Sequence, residues 1–125
     1  FMRWVAAADD PALKARWYPR VDKAALVPGY IADSSGHSRG ATVDLTLARC
    51  VDAGPCRALD MGTPFDLFDP AAHTDAPVAP AQRANRDRLR AAMQAAGFAN
   101  YPGEWWHYTL DPEPAPGTAY DFPVR

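Results

Sequence analysis

The chain has 125 residues, a formal net charge of −2 and 48% hydrophobic residues, which is enough apolar material for one small domain. A ligand with a phosphate backbone would require a clustered excess of lysine and arginine, so this charge balance predicts no nucleic-acid partner. No apolar run approaches the roughly 20 residues that cross a bilayer, so no membrane span is expected.

Local signals at the start of the chain predict two short helices. Residues 1–8 carry an apolar cluster at helical spacing without a preceding cap, so they are expected to be the end of a helix that begins upstream in a longer protein. Asp10 followed by Pro11 is a typical N-cap, and it predicts a helix that runs to about Trp17. Residues 19–33 are expected to be rich in loops.

Residues 41–49 alternate in the manner of a β-strand with one apolar and one polar face. The apolar face, expected in the core, contains Ala41, Val43, Leu45 and Leu47. The polar face contains Gly40, Thr42, Asp44 and Thr46. These polar residues suit the floor of a cleft with Asp44 pointing into it. Residues 57–61 are the expected hairpin partner of this strand.

Cys50 and Cys56 flank the loop of this predicted hairpin, which contains Gly54-Pro55. A hairpin would bring the two thiols opposite each other, so a disulfide is geometrically natural. Reduced thiols in a cytosolic protein are the alternative. An oxidised pair would favour an extracytoplasmic location, and the sequence leaves the compartment open.

The second half of the chain is expected to contain an ordered loop over residues 65–80 and the longest helix over residues 81–96, stopped by Gly97. The apolar face of this helix contains Leu89, Ala92, Met93 and Ala96. The opposite face, expected to be solvated, contains Arg83, Arg86, Asp87 and Arg90. Residues 105–110 have the composition of a strand, and residues 111–125 predict a proline-rich tail on the surface.

Two distant stretches supply the side chains of a hydrolytic zinc site. His37 lies in a Gly/Ser-rich loop seven residues before Asp44, and Glu104 precedes His107 by three residues. Zinc binds imidazole nitrogens and carboxylate oxygens, and a hydrolytic zinc keeps one position open for water. His37, Asp44 and His107 are therefore candidate ligands. Glu104 is the candidate general base, provided that it lies on a bend before the strand.

Each of these residues also has a plainer interpretation. His37 could be a hydrogen-bonded surface residue of its loop, and Glu104 with His107 could be a polar fringe on an aromatic core. His73 is a rival ligand in a loop rich in proline and alanine. Asp44 is harder to explain otherwise, because aspartate is disfavoured in strands and costly to bury unpaired.

Four successive segments resemble the signatures of the zinc D-alanyl-D-alanine dipeptidases, peptidase family M15, the type associated with vancomycin resistance and D-Ala-D-Ala recycling. They span about residues 30–110 and read SGHSRGATVDLTL, LDMGTPFD, NRDRLRAAMQAAGF and YPGEWWHY. The resemblance implies an α+β fold with a central antiparallel sheet and flanking helices, shared with the D-Ala-D-Ala carboxypeptidases and the hedgehog signalling domain. It implies one catalytic domain over residues 1–125, one Zn²⁺ per chain and a small dipeptide substrate, D-Ala-D-Ala.

The same resemblance implies roles for individual residues. The zinc ligands would be His37, Asp44 and His107, with Glu104 as the base. The substrate would be bound by Ser35 at its carboxylate, by Asp60 at its ammonium and by Tyr30 in the pocket. Two other functions stay open, namely a peptidoglycan D,D-carboxypeptidase or endopeptidase of the same fold and a non-catalytic, zinc-stabilised binding module.

One family motif has no counterpart in this sequence. Family members carry an upstream Asp-x-Tyr-Arg-Pro segment whose arginine stabilises the oxyanion, and residues 1–4 resemble the stretch that follows it. The chain is therefore expected to be the C-terminal part of the enzyme, with an N-terminal fragment of the same protein as a separate partner chain. Arg39 is only a weak substitute, and losing a positioned oxyanion donor typically costs about 10² to 10³ in rate.

Overall fold

The computed structural model describes residues 2–32, 34–51 and 54–120. Its α-helices are α1 (Met2–Val5), α2 (Pro11–Trp17), α3 (Leu26–Gly29) and α4 (Pro80–Ala95), and its 3₁₀ turns are Lys23–Ala25, Gly36–Arg39 and Pro70–Ala72. Its strands are β1 (Thr42–Asp44), β2 (Ala48–Arg49), β3 (Arg57–Ala58), β4 (Phe98–Asn100) and β5 (His107–Leu110). One antiparallel sheet has the order β1-β5-β4, and β2 pairs with β3 in a second sheet. This mixture confirms the predicted α+β class.

The capping signal of α2 is confirmed. The Asp10 carboxylate accepts hydrogen bonds from the backbone nitrogens of Ala12 at 2.8 Å and Leu13 at 3.3 Å.

The helix expected over residues 1–8 is present as α1, which ends at Val5. Phe1 lies outside the described residues. The segment expected to be rich in loops contains a 3₁₀ turn and α3, with a non-helical backbone at Val27.

The prediction of one continuous strand over residues 41–49 is wrong. β1 pairs with β5 only as far as Asp44 opposite His107, and the backbone nitrogen of Leu45 still donates to Trp106 at 3.1 Å. Beyond that point β5 offers no further partner, because the chain before His107 is a turn. The chain therefore leaves the first sheet and pairs with β3, and Leu47 accepts a hydrogen bond from Leu59 at 2.8 Å.

The predicted apolar face of this segment is only partly buried. Ala41 is buried, and Leu45 and Leu47 pack against the main core, but Val43 is 41% exposed instead of buried. β1 is an edge strand, and at Val43 the described elements leave its outer face open to solvent. Thr42, predicted for the cleft face, is buried with its hydroxyl 2.9 Å from that of Thr109.

The main core lies between the sheet and α4, and its buried members are Met61, Ala72, Leu89, Met93, Trp105, Trp106 and Tyr108. The two indole rings meet edge to face with centroids 5.2 Å apart. A smaller cluster of buried residues contains Tyr18, Leu26, Ile31 and Phe68. The tryptophans that follow Glu104 in the chain are thus fixed by close packing, which limits the freedom of the turn that carries them.

The predicted hairpin and disulfide are present at the edge of the molecule. β2 and β3 pair through Ala48 opposite Ala58 and Arg49 opposite Arg57. Cys50 and Cys56 are joined by a disulfide across the mouth of this hairpin. Residues 52 and 53 of its loop lie outside the described residues.

The longest helix, α4, lies within one residue of its predicted bounds at each end. The prediction that Arg86 lies on its solvated face is wrong. Arg86 is 1% exposed and points inward with Leu89 and Met93. Its guanidinium donates to three backbone carbonyls: Met61 at 2.7 Å, His73 at 2.7 Å and Ala71 at 3.1 Å. The charge is tolerated because these carbonyls take up its donors, and α4 thereby holds the loop before it.

Replacing Arg86 by leucine should lower the free energy of unfolding by about 2 to 4 kcal/mol, because it leaves three carbonyls without their donor in a largely buried site. Arg88→Leu is the matched control, because Arg88 is exposed on the same helix and should change that free energy by less than about 0.5 kcal/mol. Urea unfolding of both variants measures the difference. Equal losses would contradict the anchoring role of Arg86.

The tail after β5 is attached to the loop that carries His37. Glu113 accepts a hydrogen bond from Arg39 Nε at 2.6 Å, and the backbone nitrogen of Tyr120 donates to the carbonyl of Ser38 at 2.6 Å. Residues 111–120 contain no strand, as predicted, and residues 121–125 lie outside the described residues. Across the part of the chain that the structure describes, no helix has the length and apolar character needed to cross a membrane.

Candidate metal centre

The candidate centre is built where β1 meets β5. The antiparallel register puts Asp44 directly opposite His107, and the 3₁₀ turn Gly36–Arg39 brings His37 over the same edge. Asp44 Oδ2 lies 3.4 Å from His37 Nε2, and Asp44 Oδ1 lies 3.1 Å from His107 Nδ1. One carboxylate therefore faces both imidazoles, whose ring centroids are 5.0 Å apart.

Local structure fixes the orientation of the His37 ring. Ser35 caps the turn by accepting a hydrogen bond from the His37 backbone nitrogen at 3.3 Å, and Gly40 ends the turn with φ = 77°, a conformation that favours glycine. His37 Nδ1 lies 3.2 Å from the carbonyl of Thr42. Because a carbonyl only accepts, Nδ1 is the donor in this contact, and Nε2, on the side of Asp44, is the nitrogen that could bind a metal.

The three side chains fit a metal ion in both geometry and chemistry. One donor atom from each of His37, Asp44 and His107 lies within 4.8 Å of the other two. Two imidazole nitrogens and one carboxylate oxygen are ligands that Zn²⁺ commonly takes in catalytic sites, where a fourth position stays open. This is the one such group that the described residues form.

Glu104 lies in the turn before β5, as its candidate role requires. The side chain is buried, with Oε2 3.4 Å from His107 Nδ1. Burial raises the pKa of Glu104 to about 7; the charge of His107 lowers it, and those of Asp44 and Asp66 raise it. A carboxyl group with a pKa near neutrality can both accept and return a proton, which is what a general base and acid must do.

A family model described as D-ala-D-ala dipeptidase, Peptidase_M15, matches residues 1–125. The chain belongs to this M15 family. Its relatives include the D-alanyl-D-alanine dipeptidase of Streptomyces coelicolor, which is 51% identical over 126 residues, and that of Enterococcus faecalis, which is 42% identical over 126 residues. In both comparisons the match covers 99% of this chain and 61% of the relative, so the chain spans about three-fifths of their length.

The three residues predicted to bind substrate have different surroundings in the structure. Ser35 is part of the His37 turn, where its hydroxyl is engaged as the cap. Tyr30 lies with its hydroxyl 3.1 Å from His73 Nε2, and burial raises the pKa of this phenol. The side chain of Asp60 is exposed and accepts hydrogen bonds from Gly62 and Gln82, both at 2.8 Å.

Asp60 lies at the edge of a cleft of about 360 Å³ that also contains Thr46, Met61, Phe65 and Trp105. Thr46 follows β1, and Trp105 follows Glu104 in the chain. The hydrogen bond from Gln82 lowers the pKa of Asp60, so this carboxylate is charged at neutral pH. The cleft therefore offers a negative group beside two of the elements that form the candidate centre.

Asp66 is a further carboxylate near the centre that sequence reasoning did not single out. Partial desolvation raises the pKa of Asp66, the charge of Asp44 raises it further, and His37 opposes this. Its backbone has φ = 56°, a conformation that aspartate adopts more readily than most residues. The only sequence signal for Asp66 is its position at the end of the LDMGTPFD segment.

His73 and Arg39, the alternative candidates from the sequence for a ligand and an oxyanion donor, both have other partners. His73 contacts Tyr30 through its ring and is not a member of the His37, Asp44 and His107 group. Arg39 follows His37 in the 3₁₀ turn, but its guanidinium is paired with Glu113. Neither side chain is therefore arranged to replace a member of the M15 centre.

Proposed function

We propose that this chain forms the catalytic centre of a zinc-dependent dipeptidase that hydrolyses D-Ala-D-Ala. The observation that carries the proposal is the convergence of two imidazoles and one carboxylate, with a second, buried carboxylate, that of Glu104, 3.4 Å from His107. The names of the relatives support the substrate. A structural metal site would have no use for Glu104, so the arrangement favours catalysis over a binding module.

In the proposed mechanism His37, Asp44 and His107 would hold the zinc. Zinc, when bound, supplies a Lewis acid that polarises the scissile carbonyl and makes water a better nucleophile at neutral pH. Glu104 takes a proton from the attacking water and returns it to the nitrogen of the leaving D-alanine as the amide bond breaks. Burial of Glu104 keeps the carboxylate weakly solvated and therefore basic enough for this exchange.

We propose that the substrate is held at its two charged ends. Ser35 would donate its hydroxyl hydrogen to the substrate carboxylate, because its role as cap uses only a lone pair of the oxygen. Asp60 would face the ammonium, which its lowered pKa and its place in the cleft support. Tyr30 would line the pocket, and its raised pKa keeps the phenol protonated as a donor.

We further propose that the oxyanion donor comes from outside this chain, as an N-terminal fragment of the same protein. Two observations support this. Arg39 is paired with Glu113, and the dipeptidase relatives are longer than the matched region. The complete catalytic domain would then have the hedgehog-like zinc fold, and residues 1–125 would be its C-terminal part. The Cys50–Cys56 disulfide favours an extracytoplasmic location for it.

The proposal predicts that the zinc-loaded chain, supplied with the N-terminal segment of a relative, hydrolyses free D-Ala-D-Ala. Ninhydrin or coupled detection of released D-alanine measures the rate, with a chelated sample and an acylated cell-wall tripeptide ending in D-Ala-D-Ala as comparisons. Hydrolysis of the tripeptide alone would favour a carboxypeptidase or endopeptidase. Zinc binding without hydrolysis of either substrate would favour the binding module.

A further inference from the structure

Two side chains outside the proposed ligand set hold the turn that presents Glu104 and His107. The first is Asn100, which ends β4 and is half-buried. Its Nδ2 donates to the carbonyl oxygen of Glu104 at 3.1 Å and to that of His107 at 3.0 Å. Both hydrogens of this amide are thus used on the main chain of the proposed base and of one proposed ligand.

The second side chain, Thr74, fixes the orientation of that amide. Carbonyl oxygens only accept, so the NH₂ group of Asn100 must face Glu104 and His107, and its Oδ1 is left as an acceptor. The Thr74 hydroxyl donates to this Oδ1 at 2.5 Å. Thr74 is 2% exposed, and its own backbone nitrogen donates to the carbonyl of Pro102 at 2.9 Å.

The direct backbone link between the base and the ligand is weak by comparison. The nitrogen of His107 lies 3.4 Å from the carbonyl of Glu104, which is long for such a hydrogen bond. The amide of Asn100 bridges the same two residues with two shorter bonds. Loss of a partner that orients a metal ligand typically costs about 10- to 100-fold in metal affinity, and small displacements of a base also slow the reaction.

We propose that Asn100, oriented by Thr74, is a positioning residue that keeps Glu104 and His107 in register with the other two donors. The inference rests on the proposed function, because it assumes that His107 binds the metal and that Glu104 is the base. Asn100 acts through the backbone of these two residues and does not need to touch zinc or substrate.

The test compares zinc affinity, the visible spectrum of the Co²⁺-loaded protein and, with the N-terminal segment of a relative supplied, the kinetics on D-Ala-D-Ala. Asn100→Ala should weaken zinc binding by about 10- to 100-fold, change the Co²⁺ spectrum and lower kcat with a smaller change in KM. Thr74→Val should act in the same direction. Thr74→Ser, which keeps the hydroxyl, should restore both affinity and spectrum.

Thr109→Val is the matched control, because it removes one side-chain hydrogen bond from the same sheet without touching the carbonyls of Glu104 or His107. It should lower the melting temperature and leave zinc affinity unchanged. If Asn100→Ala or Thr74→Val resembles Thr109→Val in all readouts, the positioning role is wrong while the proposed function stands. If the unmodified chain binds no zinc, the proposed function itself fails.

Discussion

Replacing Glu104 by glutamine should lower kcat for D-Ala-D-Ala by about 10²- to 10⁴-fold while zinc stays bound. Glutamine has almost the same shape and fills the same buried space, but its amide cannot accept a proton from water. The three proposed ligands are unchanged, so zinc content measured on the purified variant should equal that of the unmodified protein. Steady-state kinetics and metal analysis on the same sample separate the two effects.

Glu113→Gln is the control for this substitution, because it makes the same chemical change at a carboxylate that pairs with Arg39. Its kcat should stay within about threefold of the unmodified value.

The pH profile of kcat is a second check on the role of Glu104. In the proposed mechanism the carboxylate form of Glu104 is the active one and a bound divalent cation would favour it, so the acid limb should lie at or below about pH 7 and disappear in Glu104→Gln. Full activity of that variant would remove Glu104 from the mechanism.

His37→Ala should abolish stable zinc binding. It removes one of three donors, so the loss of affinity should exceed the roughly 10- to 100-fold expected for an orienting partner such as Asn100. The side chain of His37 is 41% exposed, so its truncation leaves no cavity in the core and the variant should fold. Competition with a chromophoric chelator gives the affinity, and circular dichroism checks the fold.

His73→Ala tests whether the choice of imidazole matters. His73 packs against Tyr30, outside the group of three donors, so this variant should keep its zinc. Equal loss of zinc in both histidine variants would mean that the assignment of His37 is wrong.

The helices α2 and α4 and their ends could be predicted because their signals are local, whereas the short helix α3 was not predicted. Asp10 caps α2 through the backbone nitrogens of Ala12 and Leu13, Pro11 occupies its first position, and Gly97 stops α4 with φ = 84°. The break between β1 and β2 could not be predicted, because it depends on where β5 begins far along the chain. The burial of Arg86 could not be predicted either. Its three carbonyl acceptors come from the segment before α4, and only the folded chain brings them to this side chain.

In the candidate site, too, the residues with a local sequence signal could be predicted, and the contacts that depend on the fold could not. His37 and Asp44 were candidate ligands from their spacing and the resemblance to the family, and the Pro102-Gly103 pair before Glu104 predicted a bend there. The bridge formed by Asn100 and Thr74 left no sequence signal, because an asparagine at a strand end and a threonine in a loop are ordinary residues. Only the fold shows that one amide spans the carbonyls of two functional residues.

With zinc bound at the proposed site, the pairing of β1 with β5 would also tie the folding equilibrium to the supply of metal. The donors lie on opposite sides of the hairpin and of α4 in the chain, so the denatured polypeptide holds no preassembled cluster for an ion. An ion that binds the native state and not the denatured ensemble stabilises the protein by mass action. Scarcity of zinc would then reduce the amount of folded protein as well as its turnover.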